Sequence, residues 1–132
     1  MEALPFLATG KARPAPLYVV HGDEPFLKRQ VLLALRQRAL GDASEDGGIA
    51  TYAGDKAVFA EVFDDLDTVP FFEPRRVVLV ENADPFVTRY RSELERRVGH
   101  LPDTGLLILD VKTWQSNTRL AKLIDNAQTI AC

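Results

Sequence analysis

Five short apolar runs, separated by stretches of helical periodicity, constrain this chain more than any other feature. The clearest is Val77-Val78-Leu79-Val80, and Leu106-Leu107-Ile108-Leu109 is nearly as strong. Leu17-Tyr18-Val19-Val20-His21 is rich in β-formers and stops at Gly22. Ile49-Ala50-Thr51-Tyr52 is a weaker run, expected at a sheet edge, and Gln128-Thr129-Ile130-Ala131 closes the series. Runs this continuous, without polar alternation, belong to strands buried on both faces. Between them, Leu27, Val31, Ala34 and Leu35 define one helical face, and Phe59, Val62, Phe63 and Leu66 a second. Val87, Tyr90, Leu94 and Val98 define a third, and Leu120, Leu123 and Ile124 a fourth. Asp23, Asp55, Asp84 and Ser116 or Asn117 are the expected caps, with Pro25 and Pro85 in first turns and Gly41 and Gly99 as stops. Asp42 to Gly48 reads as a loop. The alternation predicts an α/β fold: a three-layer, parallel five-stranded sheet with helices on both faces.

A chain of 132 residues favours one domain around one sizeable core. Residues 1 to 16, with three prolines, read as a loose leader with room for one helical turn, and residues 17 to 132 as the domain. The net charge of −3 argues against a general electrostatic grip on nucleic acid. Arg75, Arg76, Arg89, Arg91, Arg96, Arg97, Lys112 and Arg119 leave room for a local basic patch in the second half. The lone Cys132 has no internal disulfide partner, and a cytoplasmic location fits. No run reaches transmembrane length, and the N-terminus has no signal-peptide pattern. The apolar end at Thr129-Ile130-Ala131-Cys132 suggests a piece of a longer protein, cut just after a strand.

Sheets of this kind bind ligands at the carboxyl ends of their strands. Those ends are Gly22-Asp23, Glu81-Asn82 and Asp110-Val111. Gly22 and Lys28 have the separation of the first glycine and the lysine of a phosphate loop. Leu27 occupies the second glycine's place and Arg29 that of the Mg²⁺-binding hydroxyl, while Asp23 and Glu24 would repel phosphate. Glu81 keeps a carboxylate where a metal-binding aspartate would stand, but Asn82 cannot serve as a base. Asp110 alone is an ordinary strand-end turn former. His21, expected to be buried, His100, expected in an exposed loop, and Cys132 form no recognisable metal site. Trp114 is expected to pack at the edge of a solvated face. The layout is that of a nucleotide hydrolase without its chemistry, which points to a binding or mechanical role with no cofactor.

The segment Thr68-Val69-Pro70-Phe71-Phe72-Glu73-Pro74-Arg75-Arg76 leads into the strongest strand. Prolines on both sides restrict it to a loop or a very short helix. From pattern alone two readings stand: Phe71 and Phe72 pack under the second helix with Phe63 and Leu66, or they are held out for a partner.

The chain resembles the N-terminal domain of the delta subunit of bacterial DNA polymerase III, the clamp-loader subunit that opens the sliding clamp. The resemblance runs from Leu17 to Cys132. It is carried by Tyr18-Val19-Val20-His21-Gly22-Asp23-Glu24-Pro25-Phe26-Leu27, by Thr68 to Val80, and by Leu106-Leu107-Ile108-Leu109-Asp110. The middle motif is the most specific. Pro74, and phenylalanine at 71 where some relatives carry leucine, depart modestly from the pattern. The resemblance implies an AAA+/RecA-like P-loop NTPase fold with a degenerate nucleotide site at Gly22, Lys28, Glu81 and Asp110. It also implies that Phe71 and Phe72 enter a pocket on the beta sliding clamp, beside Pro70, with Arg75 and Arg76 able to meet an acidic rim. The full-length protein would join gamma/tau and delta-prime subunits through lid and collar domains not present in this chain, and would meet DNA only indirectly. The rivals are a variant P-loop ATPase and a flavodoxin-like ligand-binding domain. Titration calorimetry with ATP and Mg²⁺ is expected to give no binding heat; a saturating isotherm would restore the ATPase reading.

Overall fold

The computed structural model describes residues 1–8, 14–41, 49–70 and 74–132. Five parallel strands form one sheet: β1 (Leu17–His21), β2 (Ile49–Ala53), β3 (Arg76–Glu81), β4 (Gly105–Val111) and β5 (Thr129–Ala131). Their order is β2-β3-β4-β1-β5, so the weak second run is an edge strand, as its composition predicts. Register follows the alternation of side chains. Val77 pairs with Leu106 and Val78 with Leu107, while Val19 faces Leu109 across the β1–β4 pair.

Alternation sends successive residues to opposite faces and produces two cores. Val78, Val80, Leu107, Leu109, Leu17 and Val19 point to one face. There they meet α3 (Phe59–Asp67), α4 (Asp84–Arg89), α5 (Arg91–Arg97) and α6 (Arg119–Lys122). Val77, Leu106, Ile108, Val20 and Ile130 point to the other. They meet α1 (Ala3–Ala8) and α2 (Pro25–Leu40). The unequal division follows from right-handed crossovers. Only the β1-to-β2 connection travels towards the β2 edge; the other three return the opposite way and lie on the opposite face.

Several helix boundaries differ from the sequence expectations. Glu24, not Asp23, caps α2, its carboxylate accepting from the Phe26 N–H at 3.1 Å. Pro25 is at the first helical position and Gly41 ends the helix with φ of 57°, both as expected. Asp55 lies in a turn, and α3 starts at Phe59 without a side-chain cap. The third helix is broken at Tyr90 into α4 and α5. Asp84 is the first residue of α4 rather than its cap. Its carboxylate instead accepts from the Lys112 N–H at 2.8 and 2.9 Å, tying α4 to the end of β4. Thr118, not Ser116 or Asn117, caps α6 by accepting from the Ala121 N–H. The expected loop from Asp42 to Gly48 lies outside the described residues.

The loose leader is corrected in its first eight residues. Glu2 bridges Ala131 in parallel, extending the sheet beyond β5. The Met1 ammonium donates to the Thr129 carbonyl at 2.8 Å. Phe6 is buried against Tyr18, with ring centroids 5.8 Å apart, and the Arg38 guanidinium covers its other side at 4.3 Å. The helical turn allowed for there is a six-residue helix whose burial depends on Tyr18 and Arg38, contacts no local pattern contains. Residues 9–13 of the leader lie outside the described residues. Phe6→Ala should destabilise the fold by about 3 kcal/mol, the usual cost of removing a buried ring. Urea unfolding would measure it, and a change under about 0.5 kcal/mol, typical of surface positions, would show that α1 does not belong to the cooperative unit.

Candidate functional site

Gly22, Lys28 and Asp110 meet at the carboxyl ends of β1 and β4, where the strand order switches direction. Lys28 lies in the first turn of α2, and its ammonium donates to Asp110 Oδ1 and to the Val111 carbonyl, both at 2.8 Å. Both side chains of this ion pair are largely buried. At the mouth of α2 the Glu24 carboxylate accepts from the Phe26 N–H. Gly22 has φ of +113°, and a Cβ there would lie 2.3 Å from the Cys132 carbonyl oxygen. The glycine therefore admits the end of β5, where Cys132 N donates to the His21 carbonyl and Glu24 N donates to Cys132 O. Glu81 is exposed and does not line the same cleft, whereas Asn82 does. The four predicted residues are thus three neighbours and one outlier. Among the described residues no group of three or more His, Cys, Asp or Glu side chains could hold a metal.

His21 ends β1 only half-buried, and His100 is exposed, as expected. Burial pushes the His21 imidazole below its ordinary range, helped by the positive N-terminus and Lys28. Burial likewise pushes the Cys132 thiol up. Trp114 is half-buried against the core, in line with the edge packing expected for it.

At the opposite, amino ends of the strands lie the two stems of the Phe71–Phe72 segment. Phe71, Phe72 and Glu73 themselves lie outside the described residues. On the incoming side, Thr68 Oγ1 donates to the Asp64 carbonyl at 2.8 Å and finishes α3. Val69 follows with 69% of its surface exposed, and Pro70 is half-buried. On the outgoing side, Arg75 is only 3% exposed. Its guanidinium donates to the carbonyls of Pro14 at 2.6 Å and Gly105 at 2.5 Å. Burial of its charge corrects the expectation that Arg75 meets a partner's acidic rim. A buried guanidinium needs such acceptors. Arg76 is half-buried and its Nε donates to Asp65 Oδ1 at 2.5 Å. Tyr52 donates to the other oxygen of Asp65 at 2.6 Å. Asp65 on α3 therefore binds β2 and the start of β3 together. Arg97 adds a second tie, donating to Asp67 at 2.7 Å while lying 4.9 Å over the Phe63 ring.

Sequence reasoning missed Asp65 and Tyr52. Asp65 is one of three aspartates between Phe63 and Thr68, and nothing local separates it from its neighbours. Sequence reasoning also missed the apolar wall of a cleft of about 720 Å³ beside α2, to which Leu32, Leu33, Ile49 and Leu79 contribute.

The hydrogen bond to Asp65 pushes the Tyr52 phenol up to about 12, with burial adding to it. The folded pKa exceeds the ordinary value near 10, so this stabilisation is complete below about pH 10 and lost as pH rises towards 12. Unfolding midpoints of the wild type and Tyr52→Phe should accordingly converge over that window. A constant difference between them would show that the phenol is not held by Asp65.

Comparison with known proteins adds two findings. The family model described as DNA polymerase III, delta subunit, matches residues 18–132. Among solved structures, the Bacillus subtilis DNA clamp loader delta protein (YqeN) superposes with a TM-score of 0.76 at 18% identity, over 98% of this chain and 41% of that one. The chain thus spans less than half the length of that protein. No curated protein matches.

Proposed function

The chain belongs to the DNA polymerase III delta subunit family, and on that premise we propose that it binds the beta sliding clamp through Phe71 and Phe72 and helps to open it. The observation that carries this reading is the family match across the Pro70–Arg76 lead into β3. The held stems support it. Thr68 closes α3 and Asp65 grips Arg76, so the residues on either side of the segment are held in place. Such preorganisation lowers the ordering cost of binding. Two aromatics seated in a partner's pocket supply about 2 kcal/mol or more each.

Opening needs no chemistry in this domain. The anchor acts by binding a clamp with a strained, open interface more tightly than a closed one, and the difference in affinity sets how far the equilibrium moves. Lys28 locked to Asp110 and Glu24 across the α2 mouth favour this non-catalytic reading over a variant ATPase. Energy from ATP would enter through sister subunits, the gamma/tau and delta-prime partners of the full-length protein, which control access to the anchor. Among the described residues no helix is long and apolar enough to cross a membrane, in keeping with a cytoplasmic replication protein.

The double variant Phe71→Ala/Phe72→Ala should keep the circular dichroism spectrum and lose clamp retention in a pull-down by at least about thirtyfold, the loss expected from even one such anchor. Unchanged retention by a folded variant would sink the proposal.

A further inference from the structure

A second cleft, of about 340 Å³, lies beyond the end of β4 on the face that α4, α5 and α6 cover. Asp84, Thr88 and Arg91 line one side of it. They recur at spacings of four and three residues from α4 into α5, and so share one helical stripe. Trp114 and Gln115, in the connection from β4 to α6, line the other side. That connection is held at both ends. The Lys112 N–H donates to the Asp84 carboxylate at 2.8 and 2.9 Å, and the Thr118 hydroxyl donates to the Gln115 carbonyl at 3.0 Å. Val87 and Val111, both buried, supply an apolar base. Walls fixed in this way form the cleft before any ligand arrives, and its volume falls at the small end of ligand sites.

Two donors in this cleft are unspent. Arg91 is half-buried, yet among the described residues its guanidinium has no hydrogen-bond or ion-pair partner. Neighbouring arginines show the contrast, since Arg97 pairs with Asp67 and Arg96 with Glu93. The half-buried Trp114 likewise has no acceptor for its indole N–H among the described residues. A guanidinium and an indole N–H donate and cannot accept, so what they lack is an acceptor, best a charged one. Asp84 does not fill that role. It stands about two helical turns before Arg91 and turns its carboxylate to the Lys112 N–H. A single guanidinium matches a single negative charge, and Asp84 in the same cleft opposes a second, which favours a carboxylate over a phosphate dianion. Trp114 and the two valines suit a flat apolar body beside that charge.

We propose that this cleft binds a carboxylate carried beside an aromatic ring, with the carboxylate on Arg91 and the ring against Trp114. Thr88, exposed on the same stripe, adds a hydroxyl donor. A small aromatic acid and the carboxylate end of a peptide closing on an aromatic residue share this chemistry. The cleft lies at the carboxyl end of β4, whereas Thr68 and Arg76 flank the Phe71–Phe72 segment at the amino ends of the strands. Its occupation is therefore independent of that segment, and the inference does not rest on clamp binding.

Trp114 is the chain's only tryptophan, so its fluorescence reports on this cleft alone. Titration with phenylpropanoate, a small acid, and with N-acetylphenylalanine, which stands for a peptide end, should each change that fluorescence saturably. The tighter of the two identifies the source. The neutral phenylpropanamide should bind at least about tenfold more weakly than the acid, the loss expected from one charge-assisted hydrogen bond. Arg91→Gln should weaken binding of the acid by a similar factor, and Arg96→Gln, at an exposed position of the same helix, should leave it unchanged. Phenyl phosphate should bind less tightly than phenylpropanoate. The amide and phosphate comparisons use the wild-type chain and stand even where a variant fails to fold. No saturable change, equal binding of acid and amide, tighter binding of phenyl phosphate, or an equal loss in Arg96→Gln would overturn the proposal. So would undiminished binding by Arg91→Gln.

Discussion

Everything in this domain depends on the two-sided burial of β3, β4 and β1. Val77, Val78, Val80, Leu106, Leu107 and Val19 are all within 2% of complete burial, and they divide evenly enough between faces that neither layer of helices can be removed. Parallel strands demand crossovers, and crossovers of one hand distribute helices unequally when strand order reverses. Four helices crowd one face, and α2 with α1 must serve the other. The packed terminal helix and the open cleft are two outcomes of that shortage. Among the described residues, Phe6 and Arg38 close one end of the thinly covered face, and a cleft lined by Ile49 and Leu79 lies at the other.

The same sheet presents two poles of different character. At the carboxyl pole, Lys28 and Asp110 pair with each other. A buried ion pair such as Lys28–Asp110 contributes little net stability over apolar residues of the same shape, yet breaking one partner is costly. It therefore commits the lysine without adding much to the fold. Gly22 has been committed similarly, to the close passage of Cys132. At the amino pole, ordinary polar contacts act as fasteners: Asp65 to Arg76 and Tyr52, Thr68 to Asp64, and Arg75 to two backbone carbonyls. These hold the residues on either side of the Phe71–Glu73 segment.

The fold was legible because its signal is repeated. Each buried strand announces itself by a run of branched apolar residues, and five such runs with helical spacers admit few topologies. Caps were less legible. Asp23, Asp55 and Asp84 are all good capping residues, and the helices use Glu24, Val58 and Ala83 instead. Asp84 was drawn away by the Lys112 amide, a partner 28 residues distant. The break at Tyr90 left the apolar face of the third helix intact, so periodicity alone could not reveal it.

By itself the sequence determined the parallel sheet, the order of its elements, the loss of the phosphate-loop glycine and hydroxyl, and the family resemblance. These depend on residue type at short spacing, which is what a linear pattern records. Tertiary structure alone decided what the charges do. Arg75 and Arg76 look alike in the sequence. One, just before β3, is buried on carbonyls of residues 14 and 105, and the other, opening β3, is paired with Asp65 of α3. Lys28 matched the spacing of a phosphate-binding lysine, and only the adjacency of β1 to β4 set Asp110 within its reach. A side chain's charge is local information, but its partner is fixed by which strands lie side by side.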